Sequence, residues 1–159
     1  MLTTLSTAIA VSSFSADFGF RTLTLTCSKA IDGISYFMNN KHPSFLEWNE
    51  LLEITDISVK LRKIEQLSKE FKEKEDTGFI FKGSIKMAIS DVDNAVVVIN
   101  GALEQAIELY KYHQSLYWHT WRSVDCSSQI RSLNHGVNIL QKRFDDLSKI
   151  ILMTHNIER

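Results

Sequence analysis

Apolar residues recur at every third or fourth position along four stretches of this chain of 159 residues. In the most regular stretch the steps alternate between four and three residues: Ile85, Ile89, Val92, Val96, Ile99, Leu103, Ala106 and Tyr110, continued by His113 and Tyr117. A mean step of 3.5 residues places these side chains on one face of a helix, as in the seam of a coiled coil. The sequence therefore predicts a helix over residues 84–118.

One local feature of this stretch favours a strand instead. Ala95 to Ile99 is rich in β-branched residues, and Asn100-Gly101 is a dipeptide typical of β-hairpin turns. The helical spacing nevertheless continues through Gly101 without a slip on either side, so we predict helix here.

A second helix is predicted over residues 127–154, with apolar residues again stepping by three and four: Ile130, Leu133, Val137, Leu140, Phe144, Leu147 and Ile151. Asp125, Ser127 and Ser128 precede it and offer side chains that can cap its first turn. Gly136 lies inside it and costs about 1 kcal/mol of helix propensity relative to Ala. We interpret this glycine as the mark of a close crossing with a neighbouring helix.

A third helix is predicted over residues 44–75. Pro43 precedes it, and Ser44 with Glu47 three residues later has the spacing of a capping box. Its apolar positions are Phe45, Trp48, Leu51, Leu52, Ile57, Leu61, Ile64, Leu67 and Phe71. Thr55-Asp56 lies in the middle and can cap a fresh helix, so a kink or short break is expected there.

The first stretch predicts a helix over residues 3–39. Its stripe consists of Leu5, Ile9, Ser12, Ala16, Phe20, Leu23, Cys27, Ala30, Ile34 and Met38. Thr22 to Cys27 alternates between polar and apolar residues, which is typical of a strand. The helical pattern of the other three stretches favours helix for this one too.

Short connectors near residues 39–43, 76–83 and 119–127 would place consecutive long helices antiparallel. We therefore predict an all-α fold, an up-and-down antiparallel four-helix bundle that occupies residues 1–159 as one domain. Six glycines and one proline agree with long helices and few turns.

Composition narrows the classes of function. The chain is 44% hydrophobic and 23% charged, with a formal net charge of −1. It lacks the surplus of clustered cations that binding to nucleic-acid phosphates requires, so no nucleic-acid partner is expected. Cys27 and Cys126 have neither zinc-ligand spacing nor a disulfide pattern, and they predict buried thiols in a reducing compartment.

The first sixteen residues carry no charged side chain, since Asp17 is the first. A signal peptide would begin with a positively charged segment, and a membrane span would be longer and less rich in hydroxyls. We expect an intracellular, cytoplasmic protein. The segment itself fits two interpretations, a helix buried in the bundle centre or an element that lies on lipid.

No catalytic or metal-binding pattern is visible. Helical bundles hold di-iron centres through Glu-x-x-His pairs, and neither His113 nor His119 has a glutamate three residues before it. No nucleophile elbow, dinucleotide-binding glycine motif or phosphate-binding loop occurs. The sequence therefore predicts a protein that is not an enzyme and that binds no metal or cofactor.

The one unusual cluster lies at the end of the helix predicted over residues 84–118. Aromatic, histidine and arginine residues, the types enriched at interaction hot spots, predict a partner-binding surface there: Tyr112, His113, Tyr117, Trp118, His119, Trp121 and Arg122. Two other interpretations remain open. Tyr110, Tyr117 and Trp121 can close the end of the bundle, or the cluster can form an aromatic belt at a membrane interface.

A set of residues in the carboxyl-terminal half carries a resemblance to known proteins: Trp118, Trp121-Arg122-Ser123, Leu140, Lys142-Arg143-Phe144-Asp145 and Leu147. It resembles small helical proteins of large DNA viruses that carry no functional assignment. This resemblance implies a minor virion component or a virus-encoded interaction factor. The layout is also similar to the membrane-permeabilising HeLo bundles, which begin with a charge-poor helix.

We therefore expect a non-enzymatic helical structural or interaction protein, whose partner is another protein or a second copy. The alternative is a membrane-active bundle that uses its first helix.

Overall fold

The computed structural model describes residues 2–40, 42–116 and 124–157, and within them the side chains from 19 to 155. These ranges contain five α-helices and one 3-10 turn: α1 Leu2–Asn39, the turn Pro43–Phe45, α2 Leu46–Thr55, α3 Ile57–Asp76, α4 Gly83–Ser115 and α5 Ser127–Ile157. These ranges hold no β-strand, so the prediction of an all-α fold is confirmed. Thr22 to Cys27 and Asn100-Gly101, the two places where a strand was considered, are both helical.

The helix predicted over residues 44–75 is broken at Asp56. The φ angle of this residue is 50°, in the left-handed region, which a continuous α-helix of L-residues does not use. A new helix starts at once, since the amide of Lys60 donates to the Asp56 carbonyl at 3.3 Å. The break predicted at Thr55-Asp56 is thus confirmed, and it divides the stretch into α2 and α3.

The predicted capping box of Ser44 and Glu47 is wrong. Ser44 lies inside the 3-10 turn, and its amide donates to Nδ1 of His42 at 3.2 Å, so His42 provides the cap. The reason is Pro43, whose fixed φ angle suits the first position of a helical turn and leaves the residue before it extended.

The predicted seams form the core. All eight members from Ile85 to Tyr110 in α4 are buried, and the seams of the other helices contribute Phe20, Leu23, Cys27, Ala30, Ile34, Phe45, Trp48, Leu52, Ile57, Leu61, Ile64, Phe71, Leu133, Val137, Leu140 and Leu147. Leu51, Leu67, Ile130, Phe144 and Ile151 are half-buried. The predicted positions Leu5, Ile9, Ser12 and Ala16 lie outside the described side chains.

Among the seam positions whose side chains are described, Met38 is the one that is wrong. It is exposed, and Phe37 is buried in its place. The cause is α2, because the Phe37 ring stacks on Trp48 with ring centres 4.6 Å apart. The spacing within α1 carries no information about the direction from which α2 approaches.

Helix α1 packs against both α3 and α4, and α5 packs against α4. Helices α1 and α4 are parallel, since Gly19 faces Ile89 and Gly33 faces Leu103. Helices α1 and α3 are antiparallel, with Phe20 near the start of the described side chains of α1 packed on Phe71 near the end of α3.

Helices α4 and α5 are also antiparallel. Arg143 meets Asp91, and Gly136 faces Val98 and Ile99. A Cβ atom built on Gly136 would lie only 3.0 Å from Cγ1 of Ile99, so the close crossing predicted from this glycine is confirmed.

Among the polar contacts between the described helices, three share one form. In each, a side chain donates to a backbone carbonyl of the next helix: Ser68 Oγ to Phe20, Asn100 Nδ2 to Thr26 and Arg143 Nη1 to Asp91. Helical carbonyl oxygens have a second lone pair, so these bonds need not displace the bonds of the helix itself.

Candidate functional site

The end of the bundle where α1 meets α2 is closed by aromatic rings. Phe45 lies edge-on against Phe37 at 4.9 Å, and Tyr110 lies over Phe45 at 4.4 Å. His42 faces Tyr110 at 5.4 Å. Tyr110 is therefore a core residue of this end, which we call the Trp48 end. For Tyr110 the interpretation as a bundle-end cap is confirmed.

Two members of the predicted partner surface are described, and they differ. Tyr112 is 65% exposed. Together with Leu109, Gln105, Glu108 and Gln129, it lines a shallow depression of about 360 Å³ between α4 and α5. The sequence reading missed Leu109, whose signal is its position three residues before Tyr112 on one helix face.

His113 is half-buried, and neither of its ring nitrogens has a hydrogen-bond partner within the described part of the chain. The other predicted surface residues, Tyr117, Trp118, His119, Trp121 and Arg122, lie in 117–123, outside the described residues. The structure therefore brings Tyr112 and His113 to the end of α4 and leaves the grouping of all seven a prediction.

A second depression, of about 480 Å³, lies along the same two helices at their other end. Met87, Ala88 and Ile150 supply its apolar walls. The charged residues around it are of both signs: Asp91, Arg143, Asp146 and Lys149. Between the two depressions Gly136 holds α4 and α5 close together. The seam is thus tight at its middle and open at both ends.

The seam between α1 and α4 is polar at its edge. Lys29 and Glu104 form an ion pair there, next to the hydrogen bond from Asn100. Asp93 is half-buried in the same seam, and burial raises its pKa while a hydrogen bond from Thr26 works in the opposite direction. These groups hold two helices together.

Neither cysteine is set up as a reactive thiol. Burial, with the nearby carboxylates of Glu65 and Asp93, raises the pKa of Cys27 to about 12. Burial and Asp125 raise the pKa of Cys126, against the opposing effect of the Trp48 indole N–H. Both thiols are buried and free, as the sequence predicted.

Two further searches concern metals and membranes. Within residues 2–40, 42–116 and 124–157, no three His, Cys, Asp or Glu side chains are grouped so that they could hold a metal ion. No helix in those ranges is long and apolar enough to cross a bilayer.

Neither a protein-family model, nor a curated protein, nor a solved structure matches this chain. The resemblance to small viral helical proteins and to HeLo bundles accordingly stays a prediction.

Proposed function

We propose that this protein is a non-enzymatic helical interaction protein, built as an up-and-down four-helix bundle in which α2 and α3 together form the second helix. The helix directions support this topology, because α1 and α4 are parallel, α3 is antiparallel to α1 and α5 is antiparallel to α4.

The partner surface is the end of α4. The observation that carries this proposal is the exposed Tyr112 beside Leu109, at the mouth of a depression between two helices. An exposed tyrosine offers a large apolar area with only two side-chain torsions to immobilise, which makes it a favourable anchor in a protein interface. The tryptophans and arginine that follow in residues 117–123 would extend the same chemistry.

Site-specific crosslinking tests this surface. A photoreactive benzoyl-phenylalanine replaces Tyr112 in one version of the full chain and Val97 in a control version. Val97 lies on the same helix and is 52% exposed, so both probes reach solvent. We expect a discrete adduct from position 112 and none from position 97.

Competition separates a real interface from random collisions. If the partner is another protein, excess wild-type protein without the photoprobe should suppress the adduct, whereas excess Leu109→Ala/Tyr112→Ala protein should not. If the partner is a second copy, the adduct has twice the chain mass and forms with added wild-type protein but not with added Leu109→Ala/Tyr112→Ala protein. Equal labelling at both positions would refute the proposed surface, as would an adduct whose yield responds equally to the wild-type and the double-variant protein.

A further inference from the structure

Three segments that are far apart in sequence meet at the end of the bundle opposite the Trp48 end. Arg143 lies beside Asp91 and Gly136 faces Ile99, so the antiparallel α5 passes the start of α4 at about residue 151. Residues 152–157 therefore lie level with the connector between α3 and α4, residues 77–82. We call this region, together with the start of α4, the connector end.

The first helix extends to the same end. Gly19 faces Ile89, and α4 begins six residues before Ile89, at Gly83. Because the two helices run in the same sense, α1 residue 13 is level with the start of α4. The eleven residues Leu2 to Ser12 then project about 16 Å beyond it, at 1.5 Å per residue.

The connector end exposes large apolar side chains. Ile80 is 86% exposed, and Phe79, Met87, Leu152 and Met153 are also exposed. The connector is nevertheless anchored, because the buried Phe81 ring packs on Phe20 at 5.1 Å and on Phe71 at 4.8 Å. Phe79 and Ile80 thus project from a fixed turn.

The connector and the adjoining ends of α4 and α5 carry only cations, and acidic groups flank them: Glu73, Glu75 and Asp76 at the end of α3, and Asp91 and Asp146 beside Met87 and Lys149. Residues 77–90 and 147–157 contain Lys82, Lys86 and Lys149 but no aspartate or glutamate, and residues 1–16 contain no charged side chain. None of the three lysines forms an ion pair with a residue that the structure describes. The neighbouring Asp76, which ends α3, is paired with Lys72 at 3.1 Å.

We propose that the connector end docks on an anionic lipid surface. Phe79 and Ile80 enter the boundary between headgroups and acyl chains, Leu152 and Met153 rest beside them, and the lysines face the headgroups. Apolar side chains with a rim of unpaired cations are the chemistry that binds such a surface. A nucleic acid would use the cations but leave the apolar side chains in water, and this is why lipid is favoured.

Vesicle flotation of the full chain tests the proposal. The vesicles are pure phosphatidylcholine in one arm and contain about 30% phosphatidylserine in the other, a composition chosen to give a negative surface. Phe79→Ser/Ile80→Ser is the apolar variant. Ile54→Ser is its matched control, because Ile54 is 83% exposed but lies on α2, near the Trp48 end.

We expect the wild-type chain to float with the anionic vesicles only. The apolar variant should bind at least about tenfold more weakly, since two large side chains no longer leave water, and Ile54→Ser should bind as wild type. Lys82→Gln/Lys149→Gln should lose about 25-fold, at roughly fivefold per lysine, while Lys142→Gln on the outer face of α5 should change little. Circular dichroism verifies that each variant remains helical.

Several results would overturn the lipid assignment. These are absence of flotation with either vesicle, equal flotation with both, or an apolar variant that floats like wild type. A concentration-dependent oligomer in lipid-free ultracentrifugation, lost in Phe79→Ser/Ile80→Ser, would instead assign the connector end to a second copy. The inference does not depend on the Tyr112 surface, which lies at the other end of α4, so either can fail alone.

Discussion

Gly136 offers the sharpest test of how α4 and α5 pack. A Cβ atom added there would lie 3.0 Å from Cγ1 of Ile99, 3.2 Å from Cγ1 of Val98 and 3.4 Å from the backbone nitrogen of Ile99. The two shortest distances are to γ carbons of β-branched side chains, which are largely restricted to one rotamer within a helix. Gly136→Ala should gain about 1 kcal/mol of helix propensity and lose roughly 1–3 kcal/mol to overpacking. We expect a net loss of stability of up to about 2 kcal/mol.

Gly101 provides the matched control. It also lies inside a long helix, but a Cβ atom added there would meet nothing within 4 Å. Gly101→Ala should therefore stabilise the protein by about 0.5–1 kcal/mol. Because both variants gain similar propensity, the difference between them reports the overpacking alone, roughly 1–3 kcal/mol. In a domain of this size each kcal/mol shifts the melting temperature by about 2–4 °C.

Urea unfolding followed by far-ultraviolet circular dichroism measures both free energies of unfolding, with equal slopes required for a valid comparison. Truncating Val98, one of the crowded neighbours, should recover part of the loss when Val98→Ala is combined with Gly136→Ala. If Gly136→Ala stabilises the chain as much as Gly101→Ala does, the helices do not cross closely at this residue and the packing argument is refuted.

Three other predictions concern buried groups. Burial raises the pKa of Asp93 in the folded chain, so the free energy of unfolding should fall as the pH rises from the ordinary aspartate pKa of about 3.9 through the raised pKa. Asp93→Asn should therefore be more stable than wild type at neutral pH, with a flatter dependence of stability on pH. Urea melts that give the same pH dependence for both proteins would contradict this. With a pKa of about 12, Cys27 is thiolate in about one molecule in 10⁴ at pH 8, so an aromatic disulfide reagent should modify it only after unfolding. Trp48→Ala should cost about 3–5 kcal/mol in the same urea assay, because the indole is fully buried against Phe37, and a cost below 1 kcal/mol would contradict the stacked arrangement.

Much of the fold could be predicted because burial along one helix repeats with a fixed period. The seam of α4 predicted both the helix and its buried face, even across Asn100-Gly101, where local propensity pointed to a turn. Thr55-Asp56 also marked the break between α2 and α3, since both residue types prefer the ends of helices. The errors at Ser44 and Met38 occur where one helix passes to the next, and there the direction of the neighbouring helix decides which side chain is buried.

The candidate sites were harder to predict. The aromatic residues at the end of α4 look alike in sequence, yet Tyr110 is a core residue and Tyr112 is exposed. Two positions along a helix amount to a rotation of about 200°, so they point to opposite sides. The connector end has no local signal at all. Its character depends on residues 77–90 and 147–157 lying together, which follows from the alignment of α4 with α5.

That alignment needs a cause beyond the apolar seams. A seam with a repeat of seven residues can slide by one repeat and still bury apolar side chains. Ser68 and Asn100 are the two buried polar residues among the described side chains, and each donates to a carbonyl of α1. Sliding α4 along α1 would leave the Asn100 amide buried without this partner, at a cost of about 1–3 kcal/mol. Ser68 constrains α3 less, because a helical serine can donate to the carbonyl four residues before it, as Ser35 and Ser148 do. Arg143 fixes α5 on α4 in the same way, though more weakly because it is partly exposed. Asn100 therefore contributes most to the register of α4 on α1, with smaller contributions from Ser68 and Arg143, and the register decides which residues meet at the connector end.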